Sequence, residues 1–191
     1  MRRRARKMRV LGIDCGAKST GYGIIESRGS RSLRLITSGV ITTSPRDAFP
    51  RRLSRIYEGL KTIIEEYSPE EVAIEDLFYG RNFRTVVKLG HVRAVAMLAA
   101  DGVGLPVAEY SPLEVKSSMV GYGRAEKSQV QEMVKRVLSL AEAPQSHDAA
   151  DALAVALCHL HTLTTKIKMG IAKPGSNGKS RKRKANRNRG Q

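Results

Sequence analysis

At 191 residues the chain is long enough for one ordinary domain with a real core. Two cysteines, Cys15 and Cys158, without metal-type spacing argue against a disulfide framework and fit a reducing, cytoplasmic setting, while no apolar stretch reaches the roughly 18 residues of a membrane span. The net charge of +16 sits at the ends: residues 1–9 hold 6 basic and no acidic residues, residues 162–191 hold 10 basic and no acidic ones, and the middle carries 18 of each.

Such tails suit a polyanion gripped without sequence readout. The Arg-rich start lacks the apolar core of a secretory signal, and Met8, just before the first strand, offers an alternative start. Val10-Leu11-Gly12-Ile13 carries Asp14 to the end of a short apolar run. A turn at Gly16-Ala17-Lys18-Ser19 and a second run, Thr20-Gly21-Tyr22-Gly23-Ile24-Ile25, complete the pattern of a β-hairpin. Leu33, Leu35, Val40 and Ile41 predict a third strand over Ser32–Thr43. Leu53, Ile56, Leu60, Ile63 and Ile64 recur at three- and four-residue steps and predict an amphipathic helix over Phe49–Tyr67, stopped by Ser68-Pro69.

Val72-Ala73-Ile74 is another short strand, and it also ends on a carboxylate, Glu75. The stretch from Asp76 to Arg84 mixes aromatics and cations. Val86–Ala100 is an Ala- and Val-rich helix whose pattern suits a core helix and an interface helix equally. A strand over Leu105–Tyr110, a turn or short helix from Ser111-Pro112, a joint at Gly121-Tyr122-Gly123 and helices over Glu126–Leu140 and His147–Leu163 follow. The remainder, rich in Lys, Arg, Gly, Asn and Ser, predicts disorder. The order is that of an α/β fold with a mixed sheet in which Asp14 and Glu75 end neighbouring strands. The expected division is a basic extension (1–7), one domain (8–163) and a basic tail (164–191).

An Asp at the end of a buried strand is costly unless something pairs with it. Asp148 and Asp151, three apart in the opening turns of a helix, share one face, and Ala149, Ala150 and Ala152 keep that end slim enough to approach a sheet. An acidic first turn is by itself ordinary. Gathered with Asp14 and Glu75, however, these carboxylates would resist full ionisation, and divalent cations would remove that cost. All-oxygen donors suit Mg²⁺, with Mn²⁺ as a substitute. Two ions about 3.5–4 Å apart can activate a water and stabilise a leaving 3′-oxygen in phosphodiester cleavage. His147 adjoins the cluster and reads as a helix-cap or surface residue. Basic tails and an acidic cluster together point to nucleic acid.

Gly12-Ile13-Asp14-x-Gly16-x-x-x-Thr20-Gly21-Tyr22-Gly23 resembles the first motif of the RuvC family of bacterial Holliday junction resolvases. Ala73-Ile74-Glu75 followed by Phe78 resembles the second. Lys88-Leu89-Gly90, Ala125-Glu126-Lys127-Ser128-Gln129-Val130 and Asp148-Ala149-Ala150-Asp151-Ala152-Leu153-Ala154 match as well, in the family's order over residues 8 to 161. The resemblance implies an RNase H-like mixed five-stranded sheet flanked by helices, and a homodimer that resolves Holliday junctions by paired, metal-dependent cuts during recombination and repair. It implies Asp14, Glu75, Asp148 and Asp151 as catalytic carboxylates and ligands of two Mg²⁺ ions. It implies Phe78 stacked on a base, Lys116 and Lys127 near the scissile phosphate, and the branch-migration proteins RuvA and RuvB as partners.

Arg81, Arg84 and Arg93 are candidates for backbone phosphates, and Val86–Ala100 for the dimer interface. Cys15 stands where the family usually has Pro and reads as a passive substitution. Asp-x-Gly-x-x-x-Thr also resembles the phosphate loop of actin-like ATPases, which need a second such domain. Gly16-Ala17-Lys18-Ser19 lacks the glycine spacing of a P-loop. The remaining alternatives are a related nuclease acting on structured RNA or other branched DNA, and a non-catalytic junction binder.

Overall fold

The computed structural model describes residues 7–28, 32–77, 82–123, 125–144 and 146–171. Five strands form one sheet: β1 (Lys7–Asp14), β2 (Ser19–Arg28), β3 (Leu33–Thr42), β4 (Glu71–Glu75) and β5 (Val107–Tyr110), in the order β3-β2-β1-β4-β5. β1, β2 and β3 pair antiparallel, while β4 joins β1 and β5 joins β4 in parallel. The helices are α1 (Phe49–Tyr67), α2 (Phe83–Asp101), α3 (Pro112–Val120), α4 (Lys127–Val137) and α5 (His147–Lys168).

Side chains alternate across a strand, so each strand feeds two cores. Leu11, Ile13, Ile24, Val72 and Ile74 pack with Ile56, Leu60 and Ile64 of α1 and Val92, Ala96 and Ala100 of α2. Val10, Ile25 and Ala73 pack on the other face with α5, where Val115, Met119, Val130 and Val134 of α3 and α4 complete the layer. By the same alternation Asp14 follows Val10 and Gly12, and Glu75 follows Ala73: both carboxylates belong to the α5 face.

α5 can reach that face because the sheet has no side chains in its path. A Cβ on Gly12 would lie 2.0 Å from Ala152 O, one on Gly21 2.0 Å from Asp148 O, and one on Gly23 2.6 Å from the Leu153 side chain. Gly12 pairs with Gly23, and Asp14 pairs with Gly21, so the glycines form one continuous floor under the helix. Farther along α5, the buried His159 meets Glu71 Oε2 through Nε2 (2.7 Å) and the Tyr110 hydroxyl through Nδ1 (2.8 Å), tying the helix to β4 and β5.

Several boundaries differ from expectation for local reasons. Asn82, outside the expected helix, accepts from Thr85 N–H (3.3 Å) and starts α2 at Phe83. The stretch after Ser111-Pro112 is a full helix, α3: Ser111 and Glu114 form a reciprocal capping box and Pro112 occupies the first turn. α4 ends at Val137, where Leu138 caps it and Ser139 turns left-handed. α5 continues beyond Leu163 to Lys168, with Lys166 and Lys168 complementing the dipole in its last turn.

Candidate active site

The site is built where β1 and β4 end beneath the start of α5. Ile13 stands in register with Ile74, so the next residues along the parallel strands, Asp14 and Glu75, end side by side. Ser146 caps α5 by accepting from Ala149 N–H (3.1 Å), which fixes where the helix begins and seats the Asp148 backbone on Gly21, with Asp151 one turn further along the helix.

The electrostatics register the gathering. The Asp14 carboxyl is pushed up to about 7, first by burial and then by the negative charges of Glu75, Asp151 and Asp148, with Lys127 opposing. Glu75 is raised as well, by burial and by Asp151, against the pull of Lys127 and Lys116. Lys127 Nζ lies 3.1 Å from Asp151 Oδ2, and that bond raises its own pKa. Ser19 Oγ donates to Asp148 Oδ2. Among the described residues no group of three or more His, Cys, Asp or Glu is drawn tightly enough to enclose an ion.

The donor set still fits a divalent cation. It is all carboxylate oxygen, the choice of hard cations, and burial together with neighbouring negative charge raises Asp14 and Glu75, a cost that a bound cation would offset. These four side chains are therefore the residues that could hold a metal.

The other expected residues fall in different places. Phe78 and Arg81 lie outside the described residues. Arg84 is exposed in the first turn of α2, with no acidic partner among the described residues. Lys116 and Lys127 both act on Glu75 from α3 and α4. Arg93 is not free for a phosphate: its guanidinium is 3.1 Å from Asp76 Oδ1 and also pairs with Glu109, because α2 turns it back toward the strand ends. His147 is an exposed first-turn residue whose Nδ1 meets the Gln131 amide, in keeping with a surface role. Cys15 is half-buried, and burial, with Asp14 beside it, pushes its thiol up to about 12, so it stays protonated at neutral pH. Sequence reasoning missed Ser19. Its only signal was its place as the last residue of the Gly-rich turn.

Residues 10–159 match the family model described as crossover junction endodeoxyribonuclease RuvC. The chain is 53% identical over 162 residues to the crossover junction endodeoxyribonuclease RuvC of Koribacter versatilis, covering 85% of this chain and 98% of that protein. Its fold matches Thermus thermophilus RuvC, solved in complex with a Holliday junction substrate, with a TM-score of 0.79 and 36% identity over 87% of this chain and 99% of that one. The yeast mitochondrial Holliday junction resolvase Ydc2, at 14% identity and a TM-score of 0.64 over 86% of this chain and 83% of its own, shares the fold. The mixed five-stranded sheet is thus that of the RNase H-like resolvases, and the chain belongs to the RuvC family of crossover junction endodeoxyribonucleases.

Proposed function

We propose that the chain cuts four-way DNA junctions, with Asp14, Glu75, Asp148 and Asp151 as its catalytic carboxylates and two Mg²⁺ ions, replaceable by Mn²⁺, as its cofactor. The observation that carries this reading is the Asp14 carboxyl, pushed up to about 7 by burial and three neighbouring carboxylates in a family of junction endonucleases. When bound, the ions would supply an activated water and charge stabilisation at the leaving 3′-oxygen. Asp14 and Glu75, on adjacent central strands, provide the rigid half of the cradle. Asp148 and Asp151 provide the half that approaches with α5. Lys127, now on Asp151, and Lys116, near Glu75, act as point charges for the scissile phosphate.

Phe78 would stack on a base unpaired at the branch, an interaction worth about 1–3 kcal/mol, with Arg81 and Arg84 on flanking phosphates. A homodimer matches the approximate two-fold symmetry of a junction and brings two sites to two strands. Its seam is the outer side of α2, where Phe83, Val87 and Leu98 are exposed. The basic ends add sequence-independent affinity. RuvA and RuvB are the expected branch-migration partners, and the cytoplasm the expected setting. Among the described residues no helix is long and apolar enough to cross a membrane.

The test is cleavage of a four-way junction, a linear duplex and a structured RNA, with Mg²⁺ and with EDTA, by wild type and Asp14→Asn. Mg²⁺-dependent cutting of the junction alone is expected, with Asp14→Asn still binding the junction but no longer cutting it. Preferred cutting of RNA or duplex would move the substrate class, and binding without cutting by wild type would leave only a junction binder.

A further inference from the structure

The turn between β1 and β2 is held far more firmly than a surface connection requires. Its three successive carbonyls are all engaged. Gly16 O accepts from Thr20 Oγ1 (2.8 Å), Ala17 O from Thr43 Oγ1 (2.7 Å) and from an Arg52 guanidinium N–H, and Lys18 O from the Thr43 backbone N–H (2.9 Å). Arg52 Nε also donates to Thr43 Oγ1 (3.1 Å), and its guanidinium lies 5.8 Å over the Phe49 ring. Thr43 is polar and yet buried, at 6% exposure, so the brace is interior structure. Three elements, β2, the end of β3 and the first turn of α1, thus converge on four residues of chain.

What that braced turn delivers is Ser19, whose hydroxyl donates to Asp148 Oδ2. Asp148 needs such a partner. As the second residue of α5 its side chain is not held by the helix ladder, and a short carboxylate at a helix start otherwise turns to the free N–H groups of its own first turn. Ser146 already serves the Ala149 N–H as the cap. The backbone of Asp148 is seated on Gly21, two residues beyond Ser19 on the same strand, so one strand fixes both ends of this residue.

We infer that Ser19 is a positioning residue: its hydroxyl, held in place by a turn braced through Thr43 and Arg52, fixes the orientation of the Asp148 carboxylate at the start of α5 before a cation arrives. The inference rests on the metal-site reading above. It extends that reading to a residue outside the carboxylate set, acting as outer hydrogen bonds act on ligating carboxylates elsewhere.

The experiment is Mg²⁺ binding to the full chain by titration calorimetry, with melting temperature and junction affinity in EDTA measured alongside, for wild type, Ser19→Ala, Ser19→Thr, Ser19→Val and Asp14→Asn. Ser19→Ala should bind Mg²⁺ about 10-fold more weakly, with junction affinity in EDTA unchanged. Ser19→Thr, which keeps the hydroxyl, should bind close to wild type. Ser19→Val has the same branched shape without the hydroxyl and should be as weak as Ser19→Ala, so this pair reads the hydroxyl apart from any effect on folding. Mg²⁺ binding by Ser19→Ala as tight as wild type, or Thr and Val variants that cannot be told apart, overturns the inference while Asp14→Asn still reports a metal site. Asp14→Asn binding Mg²⁺ as wild type does would instead overturn the site itself.

Discussion

Gly21 is where the fold and the candidate chemistry meet, and adding one methyl group there tests how they are joined. A Cβ at this position would lie 2.0 Å from Asp148 O and 2.4 Å from Asp148 C, both backbone atoms, whereas real contacts stay beyond 3.0 Å. No rotamer relieves such a clash. The start of α5 must back away from β2 by about 1 Å, which as overpacking costs about 1–3 kcal/mol. At about 2–4 °C per kcal/mol for a domain of this size, Gly21→Ala should melt several degrees below wild type. The same displacement carries Asp148 and Asp151 off Asp14 and Glu75, and a misplacement of about 1 Å can lower a rate about 100-fold. Calorimetric melting and single-turnover junction cleavage measure the two effects. Lost turnover, a modest loss of stability and retained junction binding are expected. Wild-type cleavage with an unmoved melting temperature would show that α5 is not seated on the glycine floor.

Two further outcomes follow from buried titratable groups. Glu26 is held down at about 2, chiefly by its Lys7 hydrogen bond and further by Arg28 and Arg9, against 4.5 for a free glutamate. Its folded pKa is depressed, so its contribution is present above about pH 4.5 and is lost as pH falls toward 2. Denaturant melts should show Glu26→Gln destabilised at neutral pH by about 2 kcal/mol, with the half-exposed Lys7 and Arg28 limiting the loss, and a shallower fall of stability in acid. Cys15→Ala should cleave junctions at close to the wild-type rate, and the wild-type thiol should react with iodoacetamide far more slowly than a free cysteine, because it remains protonated. Cleavage abolished in Cys15→Ala would end the reading of Cys15 as a passive substitution.

Much of this arrangement was legible in the chain. A strand's period of two, read from Val10 and Ala73, already puts Asp14 and Glu75 on matching faces once their strands lie side by side. The alanines around Asp148 and Asp151 announce a helix made to approach closely. What they approach was harder to see. Gly12, Gly21 and Gly23 stand out in sequence as members of a motif, but only the register of β1 on β2 turns them into one floor.

α2 was ambiguous for a physical reason. Its apolar residues run around the helix, so periodicity could not choose between core and interface, and both faces are apolar in fact: Val92, Ala96, Ala99 and Ala100 are buried while Phe83, Val87 and Leu98 are exposed. Arg93 and Ser19 were illegible because their partners, Asp76 and Glu109 for one and Asp148 for the other, are brought to them by tertiary structure alone.

The most direct test of the central claim, that four carboxylates are gathered at a cost which cations remove, is a pair of thermal melts. Wild type and Asp14→Asn are compared at about pH 8, in EDTA and in Mg²⁺. The Asp14 carboxyl is raised from 3.8 to about 7, so ionising it costs stability that builds as pH rises through that window and is complete above it. In EDTA the Asn variant should therefore melt above wild type, and Mg²⁺ should raise wild type while leaving the variant nearly unmoved. A wild type more stable than the variant in EDTA, with Mg²⁺ shifting both alike, would contradict it.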